Sequence, residues 1–97
     1  MNRYLVPILF TAGVAEAAPE VITDITPIQS ITAQIMGDLG TPRGIIPPGA
    51  DPHDFALRPS DASAMSKADV IFWVGESLTP WLQEPIETLA TGRVVEL

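Results

Sequence analysis

The chain has 97 residues, of which 46% are hydrophobic, and 12 acidic side chains against 5 basic ones give it a net charge of −7. This apolar content is typical of a folded chain, and the length allows one small domain. The acidic balance argues against nucleic acid or an anionic membrane surface as a partner. Because the chain has no cysteine, it can form neither a disulfide framework nor a cysteine-rich zinc site.

Residues 1–17 have the pattern of a cleavable signal peptide. A short positive start precedes an almost uninterrupted apolar run, Tyr4 to Val14, which is too short to span a bilayer as a stable helix. Ala15-Glu16-Ala17 then places small residues at the positions that signal peptidase prefers. A buried first helix is the alternative, but Pro7 in the middle of the run argues against it. We therefore predict cleavage after Ala17, a mature domain of residues 18–97 in the periplasm, and no insertion into the membrane after cleavage.

The first half of this domain predicts a strand followed by a helix. Val21 to Ile25 is a β-branched run of the kind found in buried strands. Thr26-Pro27-Ile28-Gln29 has the form of a capping box, with Thr26 as the cap and proline at the first helical position. Gly37 is predicted to end this helix. Three isoleucines at helical spacing predict its apolar face: Ile28, Ile31 and Ile35.

The middle of the chain predicts a second strand, a proline-rich loop, a second helix and a third strand. Arg43 to Ile46 is the short second strand, and Val70 to Val74 is the clearest strand in the chain. Between them Pro59-Ser60-Asp61 opens a helix, with Asp61 near the positive end of the helix dipole. Arg58 is spaced to pair with Asp61 across the first helical turn.

The end of the chain predicts a third helix and a fourth strand. Thr79-Pro80 starts the helix, and Pro85 must kink or divide it because the proline ring displaces a backbone donor. Gly92 is predicted to end the helix, and Val94 to Leu97 begins the last strand. The two tryptophans, Trp73 and Trp81, are predicted to serve in packing.

Strands that alternate with helices predict a parallel sheet with right-handed crossovers, so the fold class is α/β in the order β-α-β-α-β-α-β. In such sheets ligands bind beyond the carboxyl ends of the strands. The loop that holds His53 follows the second strand, Glu76 follows the third, and Asp24 lies near the end of the first. We therefore predict that these three side chains face one rim of the sheet.

The stretch GADPHDF holds the only histidine of the chain, His53, between Asp51 and Asp54 in a loop stiffened by prolines. A neutral imidazole binds zinc well and carboxylates complete such a site, although zinc usually takes three or four protein ligands. Alternatively, His53 acts as a general base oriented by Asp51 or Asp54, but no serine lies in a Gly-x-Ser-x-Gly context that would supply a nucleophile. The third hypothesis is that His53 is a surface histidine without a functional role. Spacing alone leaves all three open.

Three stretches together resemble the zinc-binding receptors of bacterial ABC zinc uptake systems, the ZnuA type of the cluster A-I metal-binding class: VITDITPIQSI, PPGADPHDFALRPSDA and ADVIFWVGESLTPWL. The similarity runs from Val21 to Leu97 in the expected order. Manganese receptors of this class usually carry a Pro-His-x-Tyr-Glu-Pro-like variant, and Ala56 to Pro59 favours the zinc branch.

The resemblance implies a binding protein rather than an enzyme. Such a receptor captures Zn²⁺ in the periplasm as a monomer and delivers it to the membrane permease of an ABC zinc transporter. The chain would be part of the amino-terminal lobe of a two-lobe receptor, truncated before the remaining ligands that the family carries beyond Leu97. A manganese receptor of the same class is one alternative, and a fragment of a histidine- or metal-dependent hydrolase is another.

The resemblance also assigns roles to single residues. His53 stands where the family places its first metal-ligating histidine, whereas Pro52 replaces an acidic ligand that some zinc receptors have there. Asp54 and Asp51 are the candidates for the hydrogen bond that fixes the histidine tautomer from the ring nitrogen away from the metal. Glu76 is a candidate for the rim of the site.

Overall fold

The computed structural model describes residues 18–97, and the predicted signal segment lies outside the described residues. Four strands alternate with three helices: β1 (Val21–Thr23), α1 (Thr26–Met36), β2 (Arg43–Gly44), α2 (Pro59–Lys67), β3 (Val70–Trp73), α3 (Gln83–Leu89) and β4 (Arg93–Glu96). Short 3₁₀ turns, Gly37–Leu39 and Pro80–Leu82, follow α1 and precede α3. None of the helices in residues 18–97 has the length and apolar character needed to cross a membrane.

The strands form one sheet in the order β2-β1-β3-β4, and every pair is parallel. Ile22 of β1 lies opposite Arg43 of β2 on one side and Ile71 of β3 on the other. The chain therefore moves from β1 to one edge of the sheet and then crosses back to build the other edge. The gap between β1 and β3 is a topological switch point, where ligands of such folds bind. The predicted parallel α/β fold is confirmed.

The hydrophobic core joins the central strands to α2, α3 and the turn before α3. Trp73 is buried in this core, in agreement with the packing role predicted for it. Its members are Ile22, Ile45, Ile46, Met65, Ala68, Ile71, Trp73, Leu82 and Ile86. The residues of α2 and α3 that enter this core also bring the two helices into contact with each other.

The start of α1 differs from the predicted capping box. The helix is capped by Ile25 without a side-chain hydrogen bond, because Thr26 is already helical and its hydroxyl is no longer at the cap position. The side-chain amide of Gln29 instead reaches the carbonyl of Pro42, before β2, at 3.4 Å. The side chain of Gln29, which the capping box would have used, therefore contacts the segment before β2.

The predicted apolar face of α1 is wrong at two of its three positions, since only Ile28 is half-buried. Ile31 is 56% exposed and Ile35 is 78% exposed, whereas Met36 is the buried residue of the helix. The side of α1 with less exposure runs through Gln29, Thr32 and Met36. Because β2 has only two residues, the sheet beneath α1 is narrow and covers one stripe of the helix. Gly37 ends the helix as predicted, with a φ of 54°.

Several element boundaries also differ from the predicted ones. The predicted first strand stops at Thr23 and the third at Trp73. The predicted second strand is regular only through Gly44. The next two amides, of Ile45 and Ile46, still donate to the carbonyls of Thr23 and Asp24, each at 3.0 Å. Strand pairing therefore continues one step beyond the regular elements and carries two buried isoleucines to the rim.

The third helix is divided, as predicted, into a 3₁₀ turn and α3. Pro85 lies in the first turn of α3, where its missing N–H has no helical partner to lose. The helix ends at Leu89, not at Gly92, and the last strand starts at Arg93. Gly92 has a different role: a Cβ there would collide with the carbonyl oxygen of Ala68, so glycine permits the close approach of β4 to the end of α2.

Candidate metal-binding site

The loop that carries His53 comprises residues 47–58 and is called the His53 loop below. It begins after the buried Ile45 and Ile46 and ends where Arg58 caps α2. The guanidinium of Arg58 donates a hydrogen bond of 2.9 Å to the carbonyl of Ile45. This bond joins the two ends of the loop, so the loop closes on itself at the carboxyl end of β2.

Asp51 is the carboxylate that contacts the histidine. Its Oδ1 accepts the backbone N–H of His53 at 2.9 Å and lies 3.3 Å from the ring Nδ1. Two hydrogen bonds from His53 lower the pKa of Asp51, and the bond from the backbone N–H contributes more than the bond from the ring. A charged carboxylate at Nδ1 favours the tautomer with the proton on that nitrogen, which leaves Nε2 with a free lone pair. The side chain of His53 is 61% exposed, so a metal ion can reach it.

Asp54, the other predicted partner, lies elsewhere. Its backbone N–H donates to the carbonyl of Asp51 at 3.2 Å, and within residues 18–97 its carboxylate has no hydrogen-bond partner. The difference follows from the turn. An aspartate two residues before an amide can accept its hydrogen, and in doing so the carboxylate of Asp51 comes to lie beside the ring of His53.

Trp81 supports the His53 loop from outside. Its indole N–H donates to the carbonyl of Pro52 at 2.7 Å, across 29 residues of sequence. The indole also packs at 5.7 Å between ring centroids against Phe55, and the guanidinium of Arg58 lies 5.5 Å from the centroid of the Phe55 ring. The packing role predicted for Trp81 is present, but nothing in the sequence indicated this hydrogen bond.

A buried carboxylate anchors the end of the loop. Asp61 is fully buried and accepts from Arg58 at 2.8 Å, which confirms the predicted pair and completes a capping box on α2. Arg43 of β2 is a second partner at 3.1 Å that the sequence did not reveal. Burial raises the pKa of Asp61, but the hydrogen bonds from both arginines outweigh burial and leave its pKa below the usual range. Asp61 therefore stays charged and ties α2 to the sheet.

The other two residues predicted at the rim, Glu76 and Asp24, have different surroundings from those of His53. Glu76 is exposed, and within residues 18–97 its carboxylate has no hydrogen-bond partner. Asp24 is fully buried and accepts the amides of Ile25 at 2.7 Å and Val74 at 2.8 Å. Asp24 thus lies at the carboxyl ends of β1 and β3, but its carboxylate is buried and joins the two strands at the switch point.

No group of three or more histidine and acidic side chains within residues 18–97 is arranged to hold a metal ion. His53 and the carboxylates near it therefore do not form a site of three or more ligands in this part of the chain. Beside it an open cleft of about 410 Å³ lies between the start of α1 and the His53 loop, lined by residues 25–27 and 46–50 and by Pro52. This lining is mostly apolar and supplies no metal ligand.

The fold is shared with solved metal-binding proteins. The metal-dependent lipoprotein YcdH of Bacillus subtilis superposes with a TM-score of 0.69 at 26% identity, covering 81% of this chain and 30% of that one. A manganese-bound periplasmic metal-binding protein of Candidatus Liberibacter asiaticus gives 0.69 at 25% identity, covering 79% and 30%. The zinc-bound ZnuA-like domain of Streptococcus pneumoniae AdcA shares the fold, with 0.67 at 22% identity, covering 81% and 30%. The fold is that of metal-binding receptors.

Sequence comparison defines the family. The family described as zinc-uptake complex component A, periplasmic, matches residues 21–97. The high-affinity zinc uptake system protein ZnuA of Paracoccus denitrificans is 44% identical over 72 residues, which are 74% of this chain and 22% of that protein. The corresponding protein of Brucella abortus is 40% identical over 75 residues, or 77% and 22%. The chain belongs to the ZnuA family, and it spans about a fifth of the length of these two relatives.

Proposed function

We propose that this chain takes part in zinc capture through Nε2 of His53, as a portion of a periplasmic receptor that passes zinc to an ABC-type permease. It acts as a binding protein and not as an enzyme. The observation that carries the proposal is the contact of Asp51 with both the amide and Nδ1 of His53. Membership in a zinc-uptake family supports zinc as the cargo.

The chemistry of the His53 loop suits reversible metal capture. Zinc accepts neutral imidazole nitrogen readily, and a carboxylate on the far ring nitrogen makes the imidazole a better donor. One histidine holds zinc weakly, since protein zinc sites usually have three or four ligands. We therefore propose that residues 18–97 supply one ligand of a larger site, and that their own zinc affinity is in the micromolar range or weaker.

Manganese is the second candidate cargo, because a relative with the same fold was solved with manganese bound. Divalent metal affinities for nitrogen and oxygen ligands rise from manganese toward zinc, and imidazole suits zinc better than manganese. Parallel titrations with the two metals test the choice. Zinc should bind more tightly than manganese at His53, and the reverse order would favour the manganese receptor.

The test of the ligand is a zinc titration of the purified chain, followed by the nitrogen spectrum of the imidazole. Zinc should shift Nε2 while Nδ1 keeps its proton. The His53→Ala variant should bind zinc at least tenfold more weakly, or about 1.4 kcal/mol. Its melting temperature should stay close to that of the wild type, because the ring is exposed. Unchanged zinc affinity in this variant would exclude His53 as a ligand.

Export is a separate proposal that fits the periplasmic description of the family. Mass spectrometry of the periplasmic fraction should find a mature protein that starts at Ala18 or within one or two residues of it. An intact Met1 on protein in the cytoplasm would contradict both the signal peptide and the receptor function.

A further inference from the structure

The peptide bond between Pro52 and His53 is hydrogen-bonded at both edges. Its carbonyl accepts the indole N–H of Trp81 at 2.7 Å, and its N–H donates to the carboxylate of Asp51 at 2.9 Å. A peptide unit is planar, so two bonds on opposite edges fix the orientation of the whole plane. The Cα of His53 lies at one corner of that plane. The two bonds therefore fix the position of this Cα, from which the imidazole leaves the backbone.

These two bonds differ in origin. Asp51 belongs to the His53 loop and would move with it, whereas Trp81 belongs to the 3₁₀ turn before α3. That turn is held in the core: Leu82 and Thr79 are fully buried, and the amide of Leu82 donates to the carbonyl of Thr79 at 3.0 Å. The amide of Thr79 in turn donates to the carbonyl of Gly75, two residues after β3, at 3.1 Å. Trp81 thus connects the loop to the sheet.

We infer that Trp81 is a positioning residue for metal binding, which holds His53 in its binding geometry without contacting the metal. This inference rests on the proposed function of His53. An ordered loop loses less conformational freedom when the metal binds, so fixing the loop beforehand strengthens binding. The indole N–H is the relevant group, since packing against Phe55 needs only an aromatic ring.

The experiment removes this N–H and retains an aromatic ring. Trp81→Phe is compared with Trp73→Phe, a matched control that loses an indole from the core, where Trp73 is 4% exposed. Both variants and the wild-type chain are titrated with zinc, and their melting temperatures and amide exchange at His53 are measured. Trp81→Phe should weaken zinc binding roughly three- to tenfold, the effect of one hydrogen bond, and speed exchange at His53. Trp73→Phe should change the melting temperature more than the zinc affinity.

A double-mutant cycle separates positioning from a general structural effect. If Trp81 acts through His53, then Trp81→Phe should have no further effect on zinc binding once His53→Ala is present. Equal weakening in both backgrounds would overturn the inference, and so would unchanged affinity of Trp81→Phe while His53→Ala loses binding. That second result would leave the proposed function standing. If zinc fails to shift Nε2 in the wild-type chain, the proposed function and the inference both fail.

Discussion

Two loops leave the carboxyl ends of β2 and β3, on either side of β1, and they are built differently. The turn of residues 74–79, which carries Glu76, is closed by its own backbone, because the amides of Leu78 and Thr79 both donate to the carbonyl of Gly75 at 3.1 Å, and its first amide donates to the buried carboxylate of Asp24. The His53 loop also contains backbone turns, but several side chains hold it, one within the loop and others at its end and on the turn before α3. Two loops at the same rim of the sheet therefore differ in how they are held.

The prolines of the His53 loop do not explain how this loop is attached to the rest of the protein. Proline restricts its own φ and removes a donor, but it does not attach a loop to the rest of the protein. Attachment comes from Arg58 at the Ile45 carbonyl and from Trp81 at the Pro52 carbonyl. Variants that remove these attachments, or the corresponding groups of the Glu76 turn, test whether the two loops differ in this way.

The largest expected effect comes from Asp61, which anchors the end of the His53 loop. Asp61→Ala removes the buried acceptor of Arg58 and Arg43, and should lower the free energy of unfolding by about 3 kcal/mol. Asp38→Ala, at an exposed aspartate, is the control and should stay within about 0.5 kcal/mol. Urea denaturation of both variants measures the difference. A similarly small effect at both positions would show that the loop needs no buried anchor.

Acid should weaken the same anchor. Because the pKa of Asp61 is lowered in the folded state, its ionised form stabilises the fold above the pKa of the unfolded chain, about 3.9. That stabilisation is lost as the pH falls through the lower pKa of the folded protein. The wild type should therefore lose more stability than Asp61→Asn between about pH 6 and pH 3. Parallel stability curves for the two proteins would contradict this assignment.

A smaller effect should separate the two aspartates that flank His53. Asp51→Ala removes the acceptor of the His53 amide and ring, and should weaken zinc binding by about tenfold. Asp51→Asn retains an acceptor for the amide and should lose less. Asp54→Ala, whose carboxylate lies away from the ring, should change the affinity by less than about twofold. Calorimetry on the three variants decides which aspartate orients the ring, and a larger loss at Asp54 would reverse the assignment.

The smallest effect is expected in the Glu76 turn. Glu76 is exposed and its turn is closed by backbone bonds, so Glu76→Gln should change the unfolding free energy by less than about 0.5 kcal/mol. Its zinc affinity should stay within about twofold of the wild type. A loss comparable to that of Asp51→Ala would mean that the second loop also takes part in binding, and that the two loops act together.

Features that depend on neighbours along the chain were predictable from the sequence. The β-branched runs predicted the strands, prolines marked the starts of α2 and the turn before α3, and Gly37 marked the end of α1. The pairing of Arg58 with Asp61 was also predictable, since residues three apart meet on the first helical turn. The isolation of one histidine in a proline-rich loop indicated the candidate site. Each of these depends on backbone preferences that act over a few residues.

Contacts between side chains that are far apart in the sequence became visible only in the folded structure. The bonds from Trp81 to Pro52, from Arg43 to Asp61 and from Val74 to Asp24 span 29, 18 and 50 residues of sequence. The buried side of α1 was likewise set by the narrow sheet beneath it, and the isoleucine spacing on the helix did not predict it. Such contacts depend on strand order and helix rotation. No local pattern carries that information, because distant residues meet only after the sheet has brought their strands together.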